Sequence, residues 1–192
     1  MTASRSPEPT VFATNEELRE ALRRAASALK AHGPEFALAG GYALWVYGAP
    51  EPAHDVDFAV AESDVDAAAA TLENAGFTID RTPEDWLFKA GFNGAVVDVL
   101  HRINGVVVDS DLIHSGEQQE VLAIRMPVLS PTRVVTEKLC SLNEHRCDFA
   151  SLLPAVRAVR EQVDWKQVRA DTADNDFAVA FLVLIDRLGI TA

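Results

Sequence analysis

The chain has 192 residues, of which 48% are hydrophobic and 24% charged, a balance that fits one globular domain or one domain with a small appendage. At this size roughly 70% of the unfolded surface should be buried on folding, and no apolar run approaches the roughly 20 residues a membrane-spanning helix needs. The net charge of −12 excludes a nonspecific nucleic-acid coat.

Residues 1–13, opening MTASRSPEPT, carry two prolines and no apolar core of a secretory signal; they read as a flexible arm. Thr14 and Glu17 form a capping box ahead of Leu18, Leu22 and Ala25, which predicts a helix ended by Gly33-Pro34. Phe36 to Gly40 reads as a short apolar strand that runs through Gly41 into a brief helix, Tyr42 to Tyr47. Gly48, Pro50 and Pro52 make a turn, and Asp55 to Ala61 is the next strand. Ser63 and Asp66 are placed to cap a helix that reaches Ala75 and closes at Gly76. Strands follow at 77–81, 86–92 and 95–101, the last two joined by Asn93-Gly94, a strong hairpin signal. One more strand is predicted at 119–125. Ser130-Pro131 has the form of a helix start, and only helices are expected beyond it, at 132–143, 149–162, 164–171 and 175–188. The expected organisation is therefore an arm (1–13), an α/β domain (14–127) with a small mixed sheet flanked by helices, and a C-terminal helical bundle (128–192).

Cys140 and Cys147 have no metal-like spacing; on one helix they would lie about 10 Å apart along its axis, too far to bridge. Both are expected as reduced thiols of a cytoplasmic protein. The charge is unevenly spread. Residues 123–170 hold eight Lys/Arg against five acids, +3, whereas the remainder carries nine against twenty-four, −15. An anionic partner would dock on the basic segment.

Fifteen aspartates in 192 positions give about one Asp-x-Asp by chance, and the chain has four. Asp64/Asp66 and Asp174/Asp176 fall in first helical turns, where the helix dipole favours carboxylates, and Asp109/Asp111 fall in an expected loop. Asp55/Asp57 differ, because Val56, Phe58 and Val60 alternate with them and a strand would set both carboxylates on one face, about 6–7 Å apart. Two like charges so placed need a neutralising partner. Oxygen-only ligands suit Mg2+, with Mn2+ as a substitute. Asp98 interrupts the apolar strand Ala-Val-Val-Asp-Val-Leu, where an unpaired aspartate is unfavourable, and a shared cluster with Asp55 and Asp57 accounts for it. Gly40-Gly41 stands at a strand-to-helix junction, where phosphate oxygens can approach the main chain. Together these point to phosphoryl or nucleotidyl transfer.

Gly40-Gly41-x-Ala43-Leu44, Gly48, Asp55-Val-Asp57-Phe58 and the later Asp98 resemble the polymerase-beta-like nucleotidyltransferase superfamily, in its AbiEii and MenT-type toxin group. A looser likeness runs over Thr132–Leu153, through Glu137-Lys138-Leu139 and Arg146-Cys-Asp148. The resemblance implies that Asp55, Asp57 and Asp98 hold the metal and carry catalysis, with Asp98 also activating the acceptor hydroxyl. It further implies that Gly40, Gly41, Tyr42 and Lys138 meet the nucleotide. It implies an NTP donor, CTP or another pyrimidine first, a tRNA 3′ end as acceptor and a cognate antitoxin, with no membrane or DNA partner. Two positions depart from the family pattern. Tyr42 replaces the usual Ser or Thr, and Glu51 and Ala53 stand where relatives carry Arg-x-Thr, so altered triphosphate binding is expected. His54, His145 and Arg146 are further candidates for acceptor or RNA contact. His101, after the Asp98 strand, is another, Lys89 is a candidate to reach the cleft from the 86–92 strand, and Trp86 and Trp165 are read as packing residues. The alternatives are transfer to a hydroxylated antibiotic of aminoglycoside or lincosamide type, which the acidic remainder would suit, and a non-catalytic nucleotide-binding module.

Overall fold

The computed structural model describes residues 13–191, so the expected arm, 1–13, lies almost wholly outside them. Helix α1 (Asn15–His32) starts at the foreseen capping box, with the Thr14 hydroxyl accepting from the Glu17 N–H and the Glu17 carboxylate accepting from the Thr14 N–H. Its buried stripe runs Leu18, Ala21, Leu22, Ala25, Ala26, Leu29, the spacing of a helix with one face in the core. Strand β1 (Phe36–Ala39) is buried throughout and gives way to α2 (Gly40–Val46) at Gly40, whose φ of 57° breaks the extended run. Strand β2 (Val56–Val60), a 3-10 turn and α3 (Val65–Asn74) follow. No side chain caps α3: Asp66 pairs instead with Arg81 at 2.6 Å, and Ser63 contacts Asp64.

Strands β3 (Thr78–Asp80), β4 (Leu87–Phe92) and β5 (Ala95–Leu100) form the expected meander. Asn93 and Gly94 take φ of 49° and 85°, the doubly left-handed turn for which that dipeptide is suited. A small hairpin, β6 (Arg102–Ile103) and β7 (Val106–Val107), and a short helix α4 (Ser110–His114) then occupy a stretch expected to be loop. Asp109 caps α4 through the Leu112 N–H, which accounts for its carboxylate. Where one strand was expected there are two, β8 (Glu117–Val121) and β9 (Ile124–Val128). They turn at Leu122 and Ala123, with φ of 49° and 66°. Neither residue favours that region, so the turn carried no signal in the sequence. Four helices complete the chain: α5 (Pro131–Cys140), opened by Ser130 and Pro131 as foreseen, α6 (Phe149–Val159), α7 (Trp165–Asp171) and α8 (Asp176–Arg187). Cys147 falls between α5 and α6, and both cysteines are free.

The seven main strands form one mixed sheet in the order β3-β4-β5-β2-β1-β9-β8. β2 runs parallel to β5 and antiparallel to β1. The register sets Ala39, Asp57, Asp98 and Lys89 in one row across β1, β2, β5 and β4. Partners in register share a face, so Asp57, Asp98 and Lys89 lie on the same side. The opposite side carries Val56, Phe58, Val97, Val99 and Phe88, all buried. Helix α1 rests on β2, β5 and β9 and on α3, while α2 meets β1, β2 and α5, and α5 in turn meets α7 and α8. No helix among the described residues is long and apolar enough to cross a membrane.

Ala123 pays a left-handed penalty of about 1–2 kcal/mol that glycine avoids, partly offset by the extra freedom of glycine in the unfolded chain. Ala123→Gly is therefore expected to stabilise the protein by about 0.5–1 kcal/mol in denaturant unfolding; a loss of similar size would contradict the strain at this turn.

Candidate active site

Alternation along β2 fixes the site. With Val56 and Phe58 turned into the core, Asp57 must face the other way, beside Asp55 at the strand's entry. β5 repeats the pattern, with Val97 and Val99 inward and Asp98 across from Asp57. One carboxylate oxygen from each of Asp55, Asp57 and Asp98 lies within 4.8 Å of the other two. Burial and the Asp55 and Asp98 charges, opposed by Lys138 and a hydrogen bond from the Gly41 N–H, push the Asp57 carboxyl up to about 7. Burial also raises Asp98, against which Lys89 acts. Its Nζ lies 2.8 and 2.9 Å from the two Asp98 oxygens.

Gly40 is there because nothing larger fits. A Cβ at this position would sit 1.8 Å from Asp57 Oδ2, and the backbone is already left-handed. Strand, glycine and carboxylate are thus locked together. The cluster opens on a cleft of 1090 Å³ with Gly40, Asp55, Asp57, Asp98, Lys138 and Arg146 in its lining. These come from β1–α2, β2, β5 and the helical segment. Neither Lys138 nor Arg146 forms an ion pair with a described carboxylate, whereas Arg133, Arg160 and Arg169 of the basic stretch are held by Glu137, Glu161 and Asp186.

The other candidates lie elsewhere. Tyr42 is fully buried, and its hydroxyl donates to Glu51 at 3.2 Å rather than facing the cleft. Burial and the Glu51 charge raise the pKa of that phenol. Glu51 is itself held by two Arg19 nitrogens, Nε and Nη2, at 2.7 and 2.5 Å. Arg19, Glu51 and Tyr42 form a closed network that ties α1 to α2 and to the turn before β2. His54 is exposed beside Asp55; His145 is exposed and lies 3.3 Å from Glu144. Neither histidine lines the cleft. His101 is buried, 3.8 Å from Glu62.

Sequence reasoning left several cleft residues unassigned. Trp86, expected to pack, is 40% exposed and stands in the cleft wall with Glu84 and Asp85. Asn104, at the tip of the β6–β7 hairpin, reaches α5 by donating to the Glu137 carbonyl at 2.9 Å. Its signal was present: Asn104-Gly105 is a second hairpin dipeptide, flanked by Ile103 and Val106. Trp165 packs as expected, its Nε1 bonded to the Arg160 carbonyl.

Two outcomes follow from this geometry. An alanine at position 40 must displace the Asp57 carboxylate, and a shift of about 1 Å in a reacting group can cost about a hundredfold in rate. Gly40→Ala is expected to lose at least that much in a nucleotidyl-transfer assay while remaining folded by circular dichroism; wild-type rates would contradict the packing described. Without metal, Asp57 holds its proton in the folded state up to about pH 7 but only to ordinary carboxylate values when unfolded. Its contribution to stability is thus full below the unfolded pKa and is lost as pH rises through about 7. Asp57→Asn should flatten that decline in thermal unfolding measured from pH 4 to pH 8 with chelator present, where the range brackets roughly the two pKa values.

No curated protein matches this chain. Solved structures share its fold. The antibiotic-resistance factor ANT(2'')-Ia superposes with a TM-score of 0.60 at 12% identity, covering 92% of this chain and 99% of its own. An antigenic nucleotidyltransferase-like protein from Paracoccidioides brasiliensis gives 0.52 at 13%, over 85% and 89%. The lincosamide antibiotic adenylyltransferase LnuA gives 0.50 at 13%, over 84% and 100%. Residues 18–175, which hold the three carboxylates, Gly40, Lys138 and Arg146, match a family model described as a nucleotidyl transferase of unknown function, DUF2204; the chain belongs to this family and is a nucleotidyltransferase.

Proposed function

We propose that the protein transfers a nucleoside monophosphate from an NTP to a hydroxyl acceptor at Asp55, Asp57 and Asp98, with Mg2+ as cofactor and Mn2+ as a substitute. One observation carries this: three carboxylates from two strands converge within 4.8 Å at the floor of a cleft, beside a glycine that no other residue can replace. The donor set fits the ion, since it offers only oxygens, and the repulsion between like-charged groups this close is relieved by a cation or a proton. When bound, Mg2+ would polarise the α-phosphate and neutralise charge that develops there.

The residues of the chain divide the remaining work. Asp55 and Asp57 would hold the ion, and Gly40 and Gly41 leave room for phosphate oxygens near the main chain. Lys138, which already lowers the Asp57 pKa through its charge, meets the triphosphate. Asp98 takes the acceptor proton; a carboxylate has about four lone-pair sites, so bonding to Lys89 leaves it able to accept. The acceptor oxygen forms a bond to the α-phosphorus, the bond to the bridging oxygen breaks, and pyrophosphate leaves. Residues 14–127 thus supply the reacting groups and residues 128–192 the cationic wall.

The acceptor is a tRNA 3′ end and the donor CTP or another pyrimidine nucleotide, in the manner of an AbiEii or MenT-type toxin paired with an antitoxin. Lys138 and Arg146, in the cleft wall without ion-pair partners among the described residues, support a polyanionic acceptor. A cationic, hydroxylated antibiotic is the second possibility, favoured by Glu84 and Asp85 beside the exposed Trp86 ring on the other wall.

Purified protein given Mg2+ and labelled NTPs should transfer label to tRNA, with CTP the best donor, and EDTA should abolish it. Label on an aminoglycoside or lincosamide but not on tRNA would select the second acceptor class. Asp57→Ala should reduce either transfer to background. Activity retained in that variant would remove the carboxylate cluster from the chemistry.

A further inference from the structure

We infer that the Trp86 indole is the platform on which the terminal base of the acceptor RNA stacks, so that this ring sets a preference for a nucleic-acid 3′ end over other hydroxyl compounds. This rests on the reading of the acceptor as a tRNA 3′ end given above. Trp86 stands immediately before β4, and its carbonyl accepts from the His101 and Arg102 N–H groups at 3.0 and 3.1 Å, just past the end of β5. The residue is thereby pinned, yet it is 40% exposed and lines the cleft with Leu87, Leu100 and Ile103. A large ring fixed through its backbone and left open to a cleft offers a flat apolar face for a base.

The place of the ring along the sheet selects the substrate it meets. Ala39 of β1 pairs with Asp57, so Gly40 lies at the N-terminal end of β2. β5 runs parallel to β2, which puts Trp86, beside the C-terminal end of β5, on the far side of the carboxylates from Gly40. Trp86 is three positions from Lys89, the register partner of Asp98; that is about 10 Å along a strand. In an in-line displacement the entering and leaving oxygens lie on opposite sides of the phosphorus. With pyrophosphate toward Gly40 and Gly41, the acceptor comes from the Trp86 side, with room for its ribose between the Asp98 carboxylate and the ring. The charges agree with a nucleic acid there. Glu62 first, and then Asp85, raise the Arg102 pKa, so a guanidinium offsets the acid next to the ring. Lys138 and Arg146 in the same cleft would repel a polycationic acceptor.

Fluorescence anisotropy of a labelled oligoribonucleotide, bound to the full chain without NTP, reads the contact directly. Two probes are compared, one matching a tRNA 3′ end and the other identical but lacking the terminal base. Wild type and Trp86→Phe should favour the first by roughly 5- to 150-fold, the range of base–aromatic stacking, and Trp86→Ala should bind both about equally. In the transfer assay Trp86→Ala should raise KM for tRNA by a similar factor with KM for the NTP unchanged. No preference in wild type, or the same preference in Trp86→Ala, would overturn the inference and leave the tRNA reading standing. A raised KM for the NTP would also overturn it, because it would put the ring on the donor base. Should Trp86→Ala fail to fold, Trp86→Leu keeps apolar bulk without the aromatic face and should lose the preference as well; retention would again overturn the inference. Label on an aminoglycoside or lincosamide and none on tRNA would overturn the acceptor reading and the inference together.

Discussion

Two carboxylates stand directly opposite each other on neighbouring strands, Asp57 on β2 and Asp98 on β5. Like charges in register destabilise a sheet, and here a third, Asp55, is added within reach. A fold keeps such a juxtaposition only where the repulsion is relieved. Relief comes in three forms. The Gly41 N–H bonds Asp57, the Lys89 ammonium spans Asp98, and the raised pKa of Asp57 lets it hold a proton near neutrality. A divalent cation bound there would take the place of that proton, so metal affinity and proton affinity would compete at this site. The rest of the architecture serves the same arrangement, because a one-residue slip of β2 against β5 would turn Asp57 into the core and Phe58 into the cleft.

The departures from the family pattern explain one another. Glu51 would repel a triphosphate if it faced the cleft, but Arg19 holds both of its oxygens and Tyr42 donates to one of them. The acid that replaces an arginine is thus neutralised outside the cleft by an arginine from α1. The tyrosine that replaces a small hydroxyl residue completes the same network. The network makes a brace for the turn that leads to Asp55 out of Tyr42, expected to meet the nucleotide, and Glu51, expected to alter triphosphate binding. Under the proposed function, phosphate binding would fall to main-chain groups near Gly40 and to Lys138 on α5, which line one cleft.

Much of this was legible in the sequence because local chemistry and tertiary structure agree. The Thr14–Glu17 box, Asn93-Gly94 and Ser130-Pro131 each satisfy backbone groups whatever packs around them, and each marks the boundary it promised. Alternation around Asp55 and Asp57, and one acid in an apolar strand, likewise sufficed to bring three aspartates together. What stayed hidden depended on partners far along the chain. The Leu122-Ala123 turn is held by pairing of β8 with β9, not by turn-forming residues. Lys89 could not be assigned a face without the register of β4, and Trp86 was read as core because nothing local tells a packed indole from one that walls a cleft. The Ser63/Asp66 cap did not form because a 3-10 turn takes up Glu62–Asp64 and the helix starts at Val65, which leaves Asp66 inside the first turn, where it pairs with Arg81.

The central claim is that three carboxylates from Asp55, Asp57 and Asp98 form a built site for a divalent ion. Anomalous scattering from crystals grown with Mn2+ tests this most directly. A peak bounded by Asp55, Asp57 and Asp98 is the predicted map; a cluster without a peak would contradict it.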